Sequence, residues 1–405
     1  SGHDLQKGRV EVYNEHFFKN LQDYYMEWEL LCDGTPIRKG IIYDLDVDPQ
    51  QKKVITLGYS KDMIPAEGEI LLNVSYKLKH YHQLLSAGYQ VAYDQLEIRP
   101  YNFNAILPSP ENKISYREDL VHYEIETDHT IVMISKETGW VDNIIVNGVD
   151  MMKAGYSLKP NFWRAPTDND YGASFQKRFK IWRNPEMELN EIKIEKQGNL
   201  VLVNVKHDLK ALHAVLNIVY QFNASGQIAI EQSLTVDKSH KETAHMLRYG
   251  MQMTMPAIFN SIEYYGRGPF ENYVDRKSAA VLGIYKQTVA EQYFPYIRPQ
   301  ETGNKSDVRW WKVVDVDGRG LMFTSNNAFS ATALHYAQES LDDGDELGQQ
   351  HAIDVKPEDL TTVSIDLAHM GLGCLNSWGA WPLPAYRLPY DNYTFTFMVS
   401  PIINK

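Results

Sequence analysis

Apolar and polar residues alternate along most of this chain. This alternation constrains the possible folds of the chain more than any other feature of its sequence. Between residues 70 and 78, apolar residues occupy every second position, and mostly polar residues lie between them. Successive side chains of a strand point to opposite faces, so this pattern predicts a strand with one buried face. Similar alternation at 26–30, 191–195, 200–205 and 228–236 predicts further strands. Because helical periodicity is scarce, we predict an all-β fold.

Turn-forming dipeptides separate the predicted strands. They are Asp33-Gly34, Asn147-Gly148, Ser225-Gly226 and Asp317-Gly318. Asn, Asp and Gly tolerate the positive φ of tight hairpin turns, so these dipeptides between alternating segments indicate hairpins. Many short strands joined by turns favour sandwiches over βαβ units.

An interruption near residues 105–115 indicates a domain boundary. Pro108 and Pro110 lie among polar residues there, and the alternation stops. Residues 1–108 hold enough short strands for one immunoglobulin-like β-sandwich. Residues 109–405 show no comparable break, which predicts one large antiparallel β-structure. Their pattern fits two packed sheets and two smaller domains equally well.

Composition argues against several kinds of partner and site. The formal net charge is −12, and no block of Lys and Arg is present to bind a phosphate backbone, so we expect no nucleic acid. No run of about 18 apolar residues is present, so we expect no membrane span. Cys32 and Cys374 are far apart and are expected to be buried thiols. Neither HExxH nor a paired CxxC occurs, and no metal ligand is assigned.

Carboxylates concentrate in the segments 263–276 and 294–304. They are Glu263, Glu271, Asp275 and Glu301. Two carboxyl groups at a suitable separation can serve as a catalytic acid and nucleophile. Alternatively, they pair with arginines of the same segments in a polar network. These arginines are Arg267, Arg276 and Arg298. We favour the network, and no catalytic residue is assigned to this chain.

Two polar loops are further candidates. Asp168 and Asp170 can bind a cation or cap turns, and we favour capping. Trp378 and Trp381 lie among Gly, Ser and Pro rather than in an alternating strand. An indole in a loop can stack on a sugar ring or plug the end of a sandwich. Both interpretations stay open for Trp378, and the plug is favoured for Trp381. His369 is expected to be structural.

Three motifs occur in order over more than two hundred residues. They are FWRAPTDNDYG (162–172), EYYGRGPFENYVDR (263–276) with its continuation FPYIRPQETGN (294–304), and HMGLGCLNSW (369–378). These motifs resemble the C-terminal region of the bacterial β-galactosidases of glycoside hydrolase family 2. The segment from Val10 to Gly40 more weakly resembles the immunoglobulin-like domain that follows the catalytic barrel in that family. The start of the chain, Ser-Gly-His rather than Met, also suggests a piece of a longer protein.

The resemblance implies an immunoglobulin-like β-sandwich over residues 1–108 and a galactose-mutarotase-like β-supersandwich over residues 109–405. In the family the catalytic glutamates lie in the barrel, so the longer protein is expected to hydrolyse β-D-galactosides while this chain alone is inactive. The magnesium and sodium of the family are bound by earlier domains, so no metal and no cofactor are expected here. The family's substrate-platform tryptophan corresponds to Trp378.

The implied partners are a β-galactoside or another carbohydrate, the missing N-terminal and barrel domains and, if the protein is a homo-oligomer, a second copy of the chain. No nucleic acid or membrane is implied. One alternative is a stand-alone carbohydrate-binding or mutarotase-like domain, for which His335, His369 and Glu301 are the candidate acid and base. Pure scaffolding of an oligomer is another. Compartment, whether cytoplasmic or periplasmic, stays open.

Overall fold

The computed structural model of the chain describes residues 2–103, 113–240, 243–345, 347–349, 351–373, 376 and 379–403. Contacts divide the chain into two compact units. The first is Ser1–Asn102 with Val281–Ile284, and the second is Phe103–Ala280 with Tyr285–Lys405. The predicted division at residue 108 falls within residues 104–112, which lie outside the described ranges, and it stays a prediction.

The first unit contains two antiparallel sheets. One has three strands in the order β1-β2-β5, and the other has four in the order β4-β3-β6-β7. The strands are β1 (Gly2–Asp4), β2 (Arg9–Tyr13), β3 (Tyr24–Cys32), β4 (Thr35–Ile42), β5 (Lys52–Thr56), β6 (Ile70–Leu78) and β7 (Gln90–Arg99).

Alternate residues of β3 and β6 form much of the core of this unit, as the sequence predicts. Met26, Trp28 and Leu30 are buried, and Leu72 and Val74 pack in the same cluster. Burying one such side chain contributes roughly 1.5–3 kcal/mol, so a register that put them in solvent would lose the core. Cys32 is a free thiol, but it is half-buried rather than buried.

The second unit contains a five-stranded sheet and a twelve-stranded sheet. The smaller sheet has the order β12-β11-β10-β9-β8, with β8 (Ser115–Glu118), β9 (His122–Glu126), β10 (Thr130–Ser135), β11 (Val141–Val146) and β12 (Val149–Asp150). The larger sheet has the order β13-β18-β23-β22-β24-β17-β16-β15-β14, and β21, β19 and β20 extend from β22. Its strands are β13 (Lys159–Asn161), β14 (Glu188–Gln197), β15 (Leu200–Leu209), β16 (Ala214–Asn223), β17 (Ile228–Val236), β18 (Arg248–Met255), β19 (Ser261–Gly268), β20 (Val281–Thr288), β21 (Lys305–Val314), β22 (Gly320–Leu334), β23 (Thr361–His369) and β24 (Tyr393–Ile402).

The two sheets of the second unit share one apolar core. Val203, Ile218 and Ile230 of the larger sheet lie in the same buried cluster as Val132 and Ile144 of the smaller one. Side chains on the inner faces of two sheets interdigitate in this way in a sandwich. The prediction of an all-β fold is confirmed.

All four predicted dipeptides lie between paired antiparallel strands, and two of them form two-residue turns. Asp33-Gly34 and Asn147-Gly148 have φ values of 46° and 77°, and of 48° and 79°. Cys32 pairs with Thr35 and Val146 pairs with Val149, so each dipeptide is a two-residue turn. The left-handed backbone at both positions explains the choice of Asp, Asn and Gly.

Helices are short throughout the described residues. The α-helices are α1 (Asp168–Gly172), α2 (Phe175–Arg178) and α3 (Gln338–Leu341). Single 3₁₀ turns are Leu5–Lys7, Leu21–Asp23, Lys61–Met63, Lys180–Trp182, Lys210–Leu212, Ala290–Gln292, Ala352–Asp354 and Pro384–Tyr386. No helix in the described ranges has the length and apolarity to cross a membrane.

Candidate functional site

The three sequence motifs meet at a turn formed by residues 370–373, immediately after β23. The guanidinium of Arg164 donates to the carbonyl oxygens of Met370 and Gly371, the latter at 3.2 Å. From the other motif, the carboxylate of Asp275 accepts hydrogen bonds from the backbone N–H groups of Leu372 and Gly373, at 3.0 and 3.1 Å. Side chains from two distant segments therefore hold both the carbonyls and the amides of the 370–373 turn.

Arg164 is itself fixed by a buried carboxylate. Its Nε and Nη2 donate to the two oxygens of Asp170 at 2.9 and 2.7 Å, which is a bidentate pair. Asp170 also accepts from the backbone N–H of Thr167, while the Thr167 hydroxyl accepts from the Asp170 N–H. This capping box starts α1. The prediction that Asp170 caps a turn is confirmed.

A second buried arginine extends this arrangement across β18 and β23. Arg248 contacts Glu301 Oε1 through Nη2 at 3.1 Å, and Asp366 Oδ2 through Nε at 3.3 Å. Its Nη2 also lies 2.9 Å from Nε2 of His369. We call Arg164, Asp170, Arg248, Glu301, Asp366 and His369 the buried charge cluster; all six are buried.

The cluster contains three carboxyl groups and two guanidinium groups, so with His369 neutral it carries no net charge only if one carboxyl is protonated. Burial raises the pKa of Asp366, Arg248 lowers it and the nearby Glu301 raises it, and the net result is a pKa of about 7. Among the described residues, neither oxygen of Asp366 accepts a hydrogen bond. Burial also raises the pKa of the neighbouring Glu301, so Asp366 and Glu301 are the carboxyl groups that can hold the proton near neutral pH.

Space for Asp366 comes from the glycine opposite it. Gly250 pairs with Asp366 across β18 and β23 at a bulge. A Cβ at Gly250 would lie 2.3 Å from Asp366 Oδ1, so any larger residue would displace the carboxyl group.

His369 lies between the two arginines. Its Nε2 faces Arg248, and its Nδ1 lies 3.2 Å from Arg164 Nη1 and 3.4 Å from the carbonyl oxygen of Met370. The neutral tautomer with the proton on Nδ1 fits, because Nε2 can then accept from Arg248. Burial and the charges of Arg248 and Arg164 lower the pKa of His369 well below its usual value. The geometry thus agrees with the predicted structural role.

The void beside the cluster is too small for a sugar. It has a volume of about 20 Å³ and is lined by Arg248, Glu301, Thr332 and Thr362, among others. That space holds about one water molecule. His335 lies apart from the cluster and contacts the carbonyl oxygen of Leu360 through Nδ1 at 2.8 Å. The three candidate groups for epimerisation therefore do not line a site of sugar size.

The predicted carboxylate–arginine network is only partly correct. Glu271 pairs with Arg276. Glu263 instead pairs with Lys312 at 3.3 Å, because the two residues are cross-strand neighbours in β19 and β21. The other partners also differ from the prediction: Glu301 pairs with Arg248, Asp275 binds backbone amides, Arg267 pairs with Asp307, and Arg298 pairs with Asp343. Sequence proximity gave the wrong partners because the pairing follows strand register and loop packing.

Trp378 lies outside the described residues, and its proposed role stays a prediction. Its described neighbours are held closely. Gly379 has a φ of 85°, and a Cβ there would lie 2.4 Å from the carbonyl oxygen of Gly172. Trp381 packs edge-on against Phe175 and Phe179, with ring centroids 4.8 and 5.5 Å apart.

The guanidinium groups of Arg178 and Arg387 lie 4.8 and 5.1 Å from the centroid of the Trp381 ring. Cation–π contacts of this kind stabilise a partly exposed indole. Together with the aromatic packing they make Trp381 an anchor of its loop, in keeping with the plug that the sequence favours.

The described residues contain no group of three or more His, Cys, Asp or Glu placed to hold a metal ion. The carboxylates that are present face arginines, lysines or backbone amides instead.

The sequence matches two families along its length. The family described as "Beta galactosidase small chain" matches residues 126–399, and the one described as "Beta-galactosidase, domain 4" matches residues 10–99. The chain belongs to the β-galactosidase small-chain family. This small-chain match includes all three motifs that converge on the 370–373 turn, and the predicted resemblance is confirmed.

Proteins named β-galactosidase are similar to almost the whole of this chain. The one from Priestia megaterium is 32% identical over 409 residues, which cover 98% of this chain and 38% of the relative. The one from Lactobacillus delbrueckii subsp. bulgaricus is 30% identical over 394 residues, 95% of this chain and 37% of the relative. This chain thus spans less than two fifths of the length of either relative.

Solved structures show more distant likenesses. A galactose mutarotase related enzyme from Lactobacillus acidophilus has a TM-score of 0.42 and 8% identity, and covers 70% of this chain and 97% of its own. Galactose 1-epimerase from Lactobacillus acidophilus NCFM has a TM-score of 0.33 and 10% identity, and the match covers 73% of this chain and 99% of the epimerase chain. At these scores the likenesses tell us nothing about the chemistry of the small-chain protein.

Proposed function

We propose that this chain is the C-terminal, non-catalytic portion of a longer β-galactosidase, whose hydrolytic glutamates lie outside it in a barrel. The observation that carries the proposal is the small-chain match over residues 126–399, combined with the 38% share of the Priestia megaterium relative. The proposed role of this portion is to support the barrel and to lend Trp378 to the substrate site as a platform.

The state of the carboxylates supports the non-catalytic role. A retaining glycosidase needs two carboxyl groups about 5 Å apart and open to a sugar. Glu301 and Asp366 are buried against Arg248, and Glu271 accepts hydrogen bonds from the Thr302 hydroxyl and the Gly303 N–H at 3.1 and 2.8 Å. These groups are committed to the fold.

The anchoring around residue 378 supports the platform role. The 370–373 turn is held by Arg164 and Asp275 on one side, and Trp381 is anchored among aromatic rings and arginines on the other. A loop fixed at both ends loses little conformational entropy when it orders a residue against a ligand.

Substitution of Trp378 by Ala in the longer protein tests the platform. We expect KM for a chromogenic β-galactoside to rise and kcat/KM to fall about two- to tenfold, because an aromatic stacking contact is worth about 0.5–1.5 kcal/mol. Trp378→Phe is the matched variant, since it keeps an aromatic ring at the same position and should retain most of kcat/KM. Unchanged kcat and KM for Trp378→Ala would remove the proposed role.

A further inference from the structure

Two neighbouring loops of the second unit, residues 269–280 and 289–304, present apolar side chains to solvent. Phe270 is 51% exposed, Phe294 is 54% exposed and Ile297 is 78% exposed. The rings of Phe294 and Tyr296 lie 4.6 Å apart, and Phe270 and Phe294 line one depression of about 500 Å³. We call Phe270, Phe294, Tyr296 and Ile297 the aromatic patch. Clustered exposed apolar groups of this kind mark interaction surfaces.

The loops that carry the patch are braced rather than loose. Asn272 N–H donates to the carbonyl oxygen of Asn304, and the Asn304 side chain donates back to the carbonyl of Asn272, both at 2.8 Å. Glu271 joins them further by accepting from the Tyr296 hydroxyl and from Thr302 and Gly303. The patch is therefore preorganised, which lowers the entropic cost of binding a partner.

Polar groups around the depression are already engaged within the chain. Arg276 donates to Glu271 and to the Tyr296 hydroxyl, the latter at 3.0 Å. Lys277 donates to both oxygens of Asp307 at 2.8 and 2.9 Å. A sugar needs directed hydrogen bonds to its hydroxyl groups, and here it would have to compete with these internal bonds. An apolar protein surface makes no such demand, so the chemistry favours a protein partner.

We propose that the aromatic patch is the surface on which the remainder of the longer protein packs through an apolar face. The inference rests on the proposed function and deepens it by locating the contact. The Priestia megaterium relative extends far beyond the share that this chain covers, so exposed clustered aromatics are expected where the other portion lies. A rigid aromatic centre framed by paired charges has the composition of an interface core with its polar rim.

Hydroxyl-radical footprinting tests the patch directly, because it measures how exposed each side chain is. The chain alone and the longer protein are labelled under the same conditions. We expect Phe270, Phe294 and Ile297 to be oxidised several-fold more slowly in the longer protein. Ile353, which is 75% exposed in the chain, is the matched control and should be labelled at the same rate in both.

Two substitutions sharpen the test. Ile297→Ser in the longer protein should raise the labelling of Phe270 and Phe294 toward their rates in the isolated chain, whereas Ile353→Ser should leave those rates unchanged. Equal labelling of the patch in the chain and the longer protein would overturn the proposal.

Lactose added to the isolated chain serves as the probe for a sugar site. Protection of Phe270 and Phe294 by lactose would also overturn the proposal, since the patch would then bind a saccharide. The readout is exposure rather than turnover, so failure of the patch leaves the non-catalytic assignment standing. Hydrolysis by the isolated chain would instead refute the proposed function.

Discussion

Asp366 is a buried acid whose charge depends on pH within the neutral range. Folding raises its pKa from 3.8 to about 7, chiefly through burial. Between these pH values the folded chain keeps a proton that the unfolded chain releases, so this group lowers the free energy of unfolding as pH rises. Above about pH 7 the full penalty of a buried negative charge is present.

His369 contributes with the opposite sign. Burial and the two arginines lower its pKa from 6.5, so below that pH the unfolded chain binds a proton that the folded chain refuses. Its contribution to stability is therefore lost as pH falls below 6.5. Comparison of a variant with the wild type at each pH separates the two residues.

Asp366→Asn isolates the acid. We expect the thermal midpoint of the variant to exceed that of the wild type by a margin that grows from pH 5 to about pH 7, reaches several degrees, and then levels off, because the penalty accumulates between the unfolded and folded pKa values of Asp366. Asp359→Asn is the control, because the Asp359 carboxylate is 90% exposed. The thermal midpoint of this variant should differ from that of the wild type by the same small amount at every pH. Midpoints measured by circular dichroism at pH 5, 6, 7 and 8 check this; a difference that stays constant with pH would contradict it.

The 370–373 turn is the element on which the candidate site depends. Its geometry comes from side chains far away in sequence: Arg164 lies 206 residues before Met370, and Asp275 lies 97 residues before Leu372. Asp275 uses each carboxylate oxygen on a separate amide, so both oxygens are needed. Its replacement by an amide would place one N–H group against another.

Asp275→Asn should therefore loosen the turn without unfolding the chain. We expect amide hydrogen exchange of Leu372 and Gly373 to accelerate about five- to a hundredfold, since an unpaired partner costs about 1–3 kcal/mol. Exchange in β15, which lies five strands away from β23 in the larger sheet, should stay unchanged and serves as the internal control. Exchange at Leu372 and Gly373 that matches the wild type would show that Asp275 does not hold the turn.

The strands were predictable from the sequence, and the charge cluster was not. Alternation along β6 or β17 is a local signal, because the apolar or polar character of each residue predicts which face of the sheet its side chain occupies. Arg248, by contrast, meets His369 from 121 residues away, and no local pattern encodes that pairing. Asp366 gave one usable signal, since a charged residue within the buried stretch VSIDL of β23 is costly unless it is neutralised.

At the scale of the whole molecule, the three motifs act as one structural device. The motifs identify the family, but their arginines and carboxylates contact one another and the 370–373 turn instead of lining an open cleft. The aromatic patch is the surface that we propose for a partner, and Trp378 is the residue that we propose for the substrate. Family membership was predictable from the order of the motifs. The direction in which their side chains point could be determined only from the three-dimensional structure.

Turnover of a chromogenic β-galactoside by the purified chain tests whether this chain carries a hydrolytic centre of its own. We predict a rate equal to that of buffer, because Glu271, Glu301 and Asp366 are held by internal partners. The longer protein, assayed at the same molar concentration, is the positive control. Turnover by the isolated chain that exceeds buffer and is saturable in substrate would contradict the account.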